Sequence, residues 1–239
     1  MLWGFYMFKK IVQIDFTNVT SYCMNQRLLN AYEILIFKID LSIDKDLEEY
    51  LLLAKIAKQK EILPLFVVIN GSKSSAKELE KLQNESYFEA ANDAQFKTLY
   101  KEIVGTVTAR GEGDINLDIA DLKTILAHNG PAFFGTAQKC TYNAAHISVE
   151  EAIKNATIKN HLLSDMQGIM VYFSIHPDYE IMQLSHAMEI FYEHTHYDAE
   201  IIWGTTTNSS LGKEYVKAVI ILTGCKSQSI AINNLKYKT

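Results

Sequence analysis

Gly113-Asp114-Ile115-Asn116-Leu117-Asp118-Ile119-Ala120-Asp121-Leu122-Lys123-Thr124 sets two carboxylates three residues apart where a loop turns into a helix. Residues at that spacing lie on one side of the first helical turn, so Asp118 and Asp121 face the same way. Spacing alone leaves two readings open. The acids are a helix cap, the ordinary use of Asp at such a place, or they are held out for general acid–base work.

Upstream of this stretch, Phe88 to Thr108 reads as one long helix, about 30 Å at 1.5 Å per residue, closed by Gly111-Glu112-Gly113. Before it, Ile34 to Ile39 and Leu63 to Ile69 are apolar runs of strand length. They flank a helical stretch, Asp44 to Lys60, in which Leu47, Leu51, Ala54 and Lys58 recur at helical spacing, with Ser42 or Asp44 as its cap. Strand, helix, strand at this length is a βαβ unit, with parallel strands and a right-handed crossover. Ile11 to Phe16 is an earlier strand, and Asn25 to Tyr32 and Ser74 to Gln83 are further helices.

Downstream, Asp121 to Asn129 is helical and Gly130-Pro131 stops it. Ser148 with Glu151 forms a capping box that opens a helix to about His161. Gly168 to Ile175 is a strand. Tyr179 to Thr195 is a helix with Ile181, Leu184, Met188 and Phe191 on one face. Ala199 to Thr206, Tyr215 to Thr223 and Ile230 to Tyr237 complete the strands.

The chain has 239 residues, 48% hydrophobic and 21% charged, which fits a globular protein and excludes a disordered or fibrous one. Its 23 basic residues against 28 acidic ones give a net charge of -5, which argues against nucleic acid and an anionic membrane surface as partners. Cys23, Cys140 and Cys225 are odd in number and far apart, so neither a disulfide framework nor a zinc ribbon is expected, and a reducing cytoplasm fits. His194 and His196 lack the i, i+4 spacing of two ligands on one helix face, so no metal site is expected. No apolar run reaches about 18 residues. Met1 to Phe8 is apolar but lacks the basic region and cleavage site of a signal peptide, so no membrane insertion is expected.

The stretch Gly113 to Thr124 resembles the synergy loop of FtsZ, the bacterial tubulin homologue, whose pattern is Asn-x-Asp-x-Ala-Asp followed by a helix. The resemblance continues in order and spacing through Glu150-Glu151-Ala152-Ile153, Asp165 to Val171, Pro177-Asp178, Ala187-Met188-Glu189-Ile190, Asp198-Ala199-Glu200-Ile201-Ile202-Trp203-Gly204-Thr205 and Val219 to Gly224. Phe88-Glu89-Ala90-Ala91-Asn92-Asp93 is similar to the family's Phe-x-x-Ala-Asn-Asp stretch, whose Phe and final Asp contact guanine. The match covers about residues 88–224. Ile34 to Ile69 is similar to the family's central strand, helix and next strand. Where the family has Gly-Gly-Gly-Thr-Gly-Thr-Gly, this chain reads Leu41-Ser42-Ile43-Asp44-Lys45-Asp46-Leu47, without glycine. The family's glycine-rich loop after its first strand has no counterpart either.

The resemblance implies an α/β fold of two-lobe tubulin/FtsZ type. A shortened nucleotide-binding-type domain, residues 1–87, is joined by a central helix, 88–112, to a C-terminal α/β domain with a mixed sheet, 113–239, carrying the synergy loop at 113–121. It assigns Asn116, Asp118 and Asp121 to catalysis: the two acids polarise the attacking water on a neighbour's GTP, and Asn116 helps place the phosphate or its cation. It assigns Phe88 and Asp93 to base contact. Triphosphates are cradled by backbone N–H groups that glycine lets come close, so the glycine-free segment with Asp44 and Asp46 opposes binding of GTP by the chain itself. The implied function is an FtsZ-like cell-division protein, a degenerate paralogue that docks head-to-tail on FtsZ and modulates or caps filaments. The alternative is a minimal self-polymerising GTPase whose phosphate loop has another design. The expected partner is thus FtsZ or a second copy of the chain. Neither Asp118 nor Asp121 is expected to be paired within the subunit.

Overall fold

A computed structural model describes residues 11–14, 18–41, 47–69, 79–109, 111, 113–156 and 163–225. Its centre is one eight-stranded sheet. The strands are β1 (Ile11–Ile14), β2 (Ile34–Asp40), β3 (Leu63–Ile69), β4 (Ser86–Ala90), β5 (Gly130–Cys140), β6 (Gly168–Ile175), β7 (Glu200–Thr207) and β8 (Tyr215–Thr223). They lie in the order β1-β2-β3-β4-β5-β8-β6-β7. The first five run parallel, β8 lies antiparallel between β5 and β6, and β7 is parallel to β6. The mixed α/β fold expected from the sequence is what the chain adopts.

The helices are α1 (Val19–Met24), α2 (Glu48–Gln59), α3 (Asp93–Thr108), α4 (Ile119–Leu126), α5 (Ala144–Asn155) and α6 (Ile181–His194), with a 3-10 turn at Gln26–Ala31. Strand residues alternate between two faces, and this sorts the core. Ile36, Leu65, Val67, Phe88, Tyr172 and Ile221 belong to one cluster with Phe96, Leu99, Ile103 and Val107 of α3 and Leu122 and Ile125 of α4. That cluster runs without a break from β1 to β8. On the other face, Phe37, Phe66 and Tyr87 pack with Tyr50 and Leu53 of α2, while Val171, Phe173 and Ile220 pack with Val149 of α5 and Leu184, Met188 and Phe191 of α6. The two halves therefore share a sheet and one face of the core. The ion pair of Lys217 in β8 with Glu102 in α3 adds a polar tie between them.

Strand β5 is the seam. Gly130 to Ala132 pair with Ser86 to Phe88 of β4, and Phe133 to Cys140 pair with β8. The sequence reading stops a helix at Gly130-Pro131 and puts no strand there. Gly135 explains part of this: a Cβ on it would lie 1.9 Å from the carbonyl oxygen of Ala152, so glycine lets α5 settle directly on the strand. Gly135→Ala is expected to push α5 off β5 and to cost about 3 kcal/mol, a fall in Tm of about 10 °C for a chain of this size. A thermal melt that matches the parent would show that α5 does not rest there.

Two other expectations are corrected. The long helix is present but begins at Asp93, not Phe88, because Ser86 to Ala90 form β4 between β3 and β5. Asn92 caps α3 by accepting from the Gln95 N–H at 2.9 Å, and the helix passes through Gly105 to Thr108. Helix α5 opens at Asn143 rather than Ser148, and the buried Ser148 hydroxyl donates to the carbonyl of Val216 instead of capping. The segments 42–46, 74–78 and 230–237 lie outside the described residues. Among the described residues no helix is long and apolar enough to cross a membrane.

Candidate functional site

The loop from α3 to α4 is fastened by residues far away in sequence. Leu117 drops into the shared core and is 2% exposed. The Ile115 N–H donates to Thr205 Oγ1 at 3.0 Å, and the Thr205 N–H donates to the Ile115 carbonyl at 2.8 Å. The loop thus pairs with the outer edge of β7. At Gly204 the approach is so close that a Cβ would lie 2.5 Å from both the Ile115 carbonyl oxygen and Leu117 Cγ. Gly204→Ala is expected to lift the loop, to lower the urea midpoint by about 2 kcal/mol of stability, and to speed hydrogen exchange of the Thr205 amide. Unchanged exchange at Thr205 would rule out this docking.

With Leu117 fixed, Asp118 becomes the N-cap of α4. Its Oδ1 accepts from the N–H groups of Ala120 (2.7 Å) and Asp121 (3.1 Å), and Asp121 Oδ2 accepts from the Asp118 N–H at 2.8 Å. This reciprocal arrangement is a capping box with aspartate at both positions. The expectation that the two acids are unpaired inside the subunit is therefore corrected: four orphan N–H groups open every helix, and these carboxylates satisfy three backbone donors at that end. Each still has one oxygen, Oδ2 of Asp118 and Oδ1 of Asp121, without a hydrogen bond among the described residues. Asp118 is exposed and Asp121 partly so.

Asn116 is exposed, with its amide 3.4 Å from the Asp114 carbonyl. Asp114 has both carboxylate oxygens buried without a hydrogen-bond partner among the described residues, against Gly111, where a Cβ would overlap Oδ2. Three carboxylates therefore sit within eight residues. The nearby Lys123 turns away and donates to the Glu61 carbonyl. Such a loop accepts protons, waters and cations. Among its described residues it has no cation with which to hold a phosphate.

The other end of α3 differs. Phe88 is 1% exposed, in β4, and presents no face for a base to stack on. Asp93 is bound by Lys38 Nζ at 2.6 Å and Lys97 Nζ at 3.0 Å. The hydrogen bond from Lys38, then that from Lys97, holds its carboxyl below the usual range. The Lys38 ammonium also lies 5.3 Å from the centre of the Phe96 ring, a cation–π contact. The sequence reading missed Lys38, which stands as an ordinary polar residue in an apolar strand. Asp44 and Asp46 lie outside the described residues. Asn116, Asp118 and Asp121 are thus together at one end of α4, and Phe88 and Asp93 are near each other without forming an open base site. His194 Nδ1 is 2.8 Å from the Ile190 carbonyl, and among the described residues no group of three or more His, Cys, Asp or Glu could hold a metal ion.

Comparison with known proteins gives a consistent picture. Residues 130–226 match the family model described as FtsZ family, C-terminal domain. Cell division protein FtsZ of Helicobacter pylori is 31% identical over 117 residues, covering 49% of this chain and 30% of that protein. Cell division protein FtsZ 2 of Pyrococcus furiosus is 32% identical over 153 residues, covering 64% of this chain and 36% of that protein. The chain thus spans about a third of the length of these relatives. Among solved structures, an FtsZ dimer of M. jannaschii superposes with a TM-score of 0.69 at 17% identity, over 87% of this chain and 68% of the other. CetZ2 from Haloferax volcanii, in a GTPγS-bound protofilament, gives 0.60 at 15% identity, over 88% and 70%. At that identity the structures establish the fold, which is of tubulin/FtsZ type.

Proposed function

We propose that the chain is a divergent member of the FtsZ family, a reading supported by the match of residues 130–226 and by its relatives and fold, and that it is an FtsZ-like cell-division protein that uses its acid-bearing loop as a half-site in trans. In this reading the loop end docks head-to-tail on an FtsZ-type subunit, where Asp118 and Asp121 polarise the water that attacks the neighbour's GTP and Asn116 helps place its phosphate or cation. The chain is a degenerate paralogue that modulates or caps filaments. The cofactor belongs to the neighbour.

The observation that carries the reading is the asymmetry of the two ends. The loop is anchored by Leu117 and Thr205 and keeps two carboxylate oxygens uncommitted. The other end has its base-side Phe88 buried and its Asp93 closed by Lys38 and Lys97. A subunit with one competent end adds to a filament and stops it. A carboxylate pair also needs a partner that supplies the phosphate and its cation, because the described residues of this loop include no basic side chain. The related M. jannaschii FtsZ dimer and CetZ2 protofilament support assembly as a property of this fold.

The test is to mix the purified chain with a complete FtsZ and GTP, then follow sedimentation and filament length. Co-sedimentation with shorter filaments at substoichiometric amounts is expected. A chain that stays in the supernatant and leaves filament length unchanged would overturn the proposal. A chain that sediments alone with GTP would identify a self-polymerising minimal GTPase instead.

A further inference from the structure

A cavity of about 570 Å³ opens where the end of α2 and the first residues of β3 and β4 meet the last turn of α4. It lies at the amino ends of the parallel strands. Nucleotides in open α/β sheets bind outside the carboxyl ends, so the cavity is distinct from the base end. Along α4, Leu126 of the cavity lies about 12 Å from Asp118, eight residues at 1.5 Å each. Its volume falls in the usual range for small-molecule sites.

The floor is apolar. Ile62, Leu63 and Leu126 are nearly buried, and Pro64 adds a side chain without a backbone donor. The rim carries four charged residues, Lys58, Glu61, Glu85 and Lys123. Two of them cancel, because Lys58 Nζ lies 2.8 Å from Glu85 Oε1. The partly buried Lys123 does not cancel: its ammonium donates to the backbone carbonyl of Glu61, and no carboxylate is within ion-pair distance of it among the described residues. Ser86 is already committed, its hydroxyl donating to the Leu126 carbonyl. The rim is thus neutral in sum, with Lys123 its one cation outside an ion pair and the Glu61 carboxylate on the same rim, over an apolar floor.

We propose that this cavity binds a small molecule with an apolar body and a single carboxylate, the carboxylate pairing with Lys123. The Lys123 ammonium has three N–H donors, so a carboxylate can take one beside the Glu61 carbonyl and adds the attraction of opposite charge. A dianionic phosphate is disfavoured, because the rim has no arginine fork and carries Glu61 and Glu85. This inference does not rest on the trans half-site or on any filament partner.

The test uses the full chain, labelled with 15N and titrated with 4-phenylbutyrate and, separately, with its neutral amide. The acid is expected to give saturable shifts at the backbone amides of Lys123 to Ala127 and of Glu61 to Leu63, with a Kd below about 1 mM. The amide is expected to bind about tenfold more weakly, about 1.4 kcal/mol. Lys123→Met should lose the same factor for the acid and nothing for the amide, while Lys123→Arg keeps most of the affinity. Ala127→Phe, which fills the mouth from an exposed position, should abolish both titrations with the rest of the spectrum unchanged. Equal binding of acid and amide, parent-like binding by Lys123→Met, or no saturable shift in the parent would each overturn the proposal.

Discussion

If the chain acts as the proposed half-site, changing Asp118 and Asp121 together to asparagine is expected to abolish the acceleration of GTP hydrolysis that it would confer on a complete FtsZ, while leaving fold and docking in place. The choice of asparagine follows from the capping box. Both carboxylates accept backbone N–H bonds at the start of α4. Alanine would remove charge and cap at once, at about 1 kcal/mol per lost cap, and a weakened effect would then have two causes. Asparagine is about as good a cap as aspartate, and its amide oxygen can take the same N–H bonds. What it lacks is the negative charge needed to accept a proton or hold a cation. Loss of a general base costs about 10² to 10⁴ in rate, so phosphate release should fall to the level of FtsZ alone while co-sedimentation persists. If the double variant stimulates release like the parent chain, the two acids are a helix cap and nothing more.

That dual use shows why spacing could not decide between the two readings. Asn-x-Asp-x-Ala-Asp is visible as a pattern, and so is the start of a helix. The geometry that makes the loop a rigid platform comes from Thr205 and Gly204, some ninety residues away in sequence. The Gly-Thr pair is legible only as part of a strand. Nothing local says that its glycine is there for the Ile115 carbonyl to approach. The buried Asp114 carboxylate is equally silent, since in sequence it is one more polar loop residue.

The fold divides in the same way. Ile34–Asp40, Leu63–Ile69 and Tyr215–Thr223 are strands whose apolar runs announce themselves, because they are buried on both faces. Strands β4 and β5 are hidden by their composition. Phe88-Glu89-Ala90-Ala91 has helix-forming residues that continue into α3, and only pairing with β3 and β5 makes it extended. Gly130-Pro131 and Gly135 read as breakers. In the structure the Pro sits where β5 begins, and Gly135 sits where a helix backbone presses on the strand. Local propensity is a weak prior, and tertiary packing overrides it at the seam between the halves.

The isolated chain is expected to show no saturable GTP binding at concentrations where a Kd of about 1 μM, about -8 kcal/mol, would be plain. Isothermal titration of the purified chain with GTP and magnesium measures this. The base end gives the reason in magnitudes. Stacking a base on an aromatic ring is worth about 1–3 kcal/mol. To offer Phe88 the chain would have to expose a buried side chain, at about 1.5–3 kcal/mol, and also break the pairing of β4 with its neighbours. The exchange gains nothing. Asp93 would further have to leave Lys38 and Lys97 before it could read a base edge. Lys38→Ala removes one of those partners, so it separates the two obstacles. If Lys38 alone closed the site, the variant would bind GTP. With Phe88 built into the sheet, Lys38→Ala is expected to bind no better than the parent. A Kd of about 1 μM or below for either protein would show a phosphate cradle strong enough to outweigh both costs, and the chain would then carry a nucleotide site of its own.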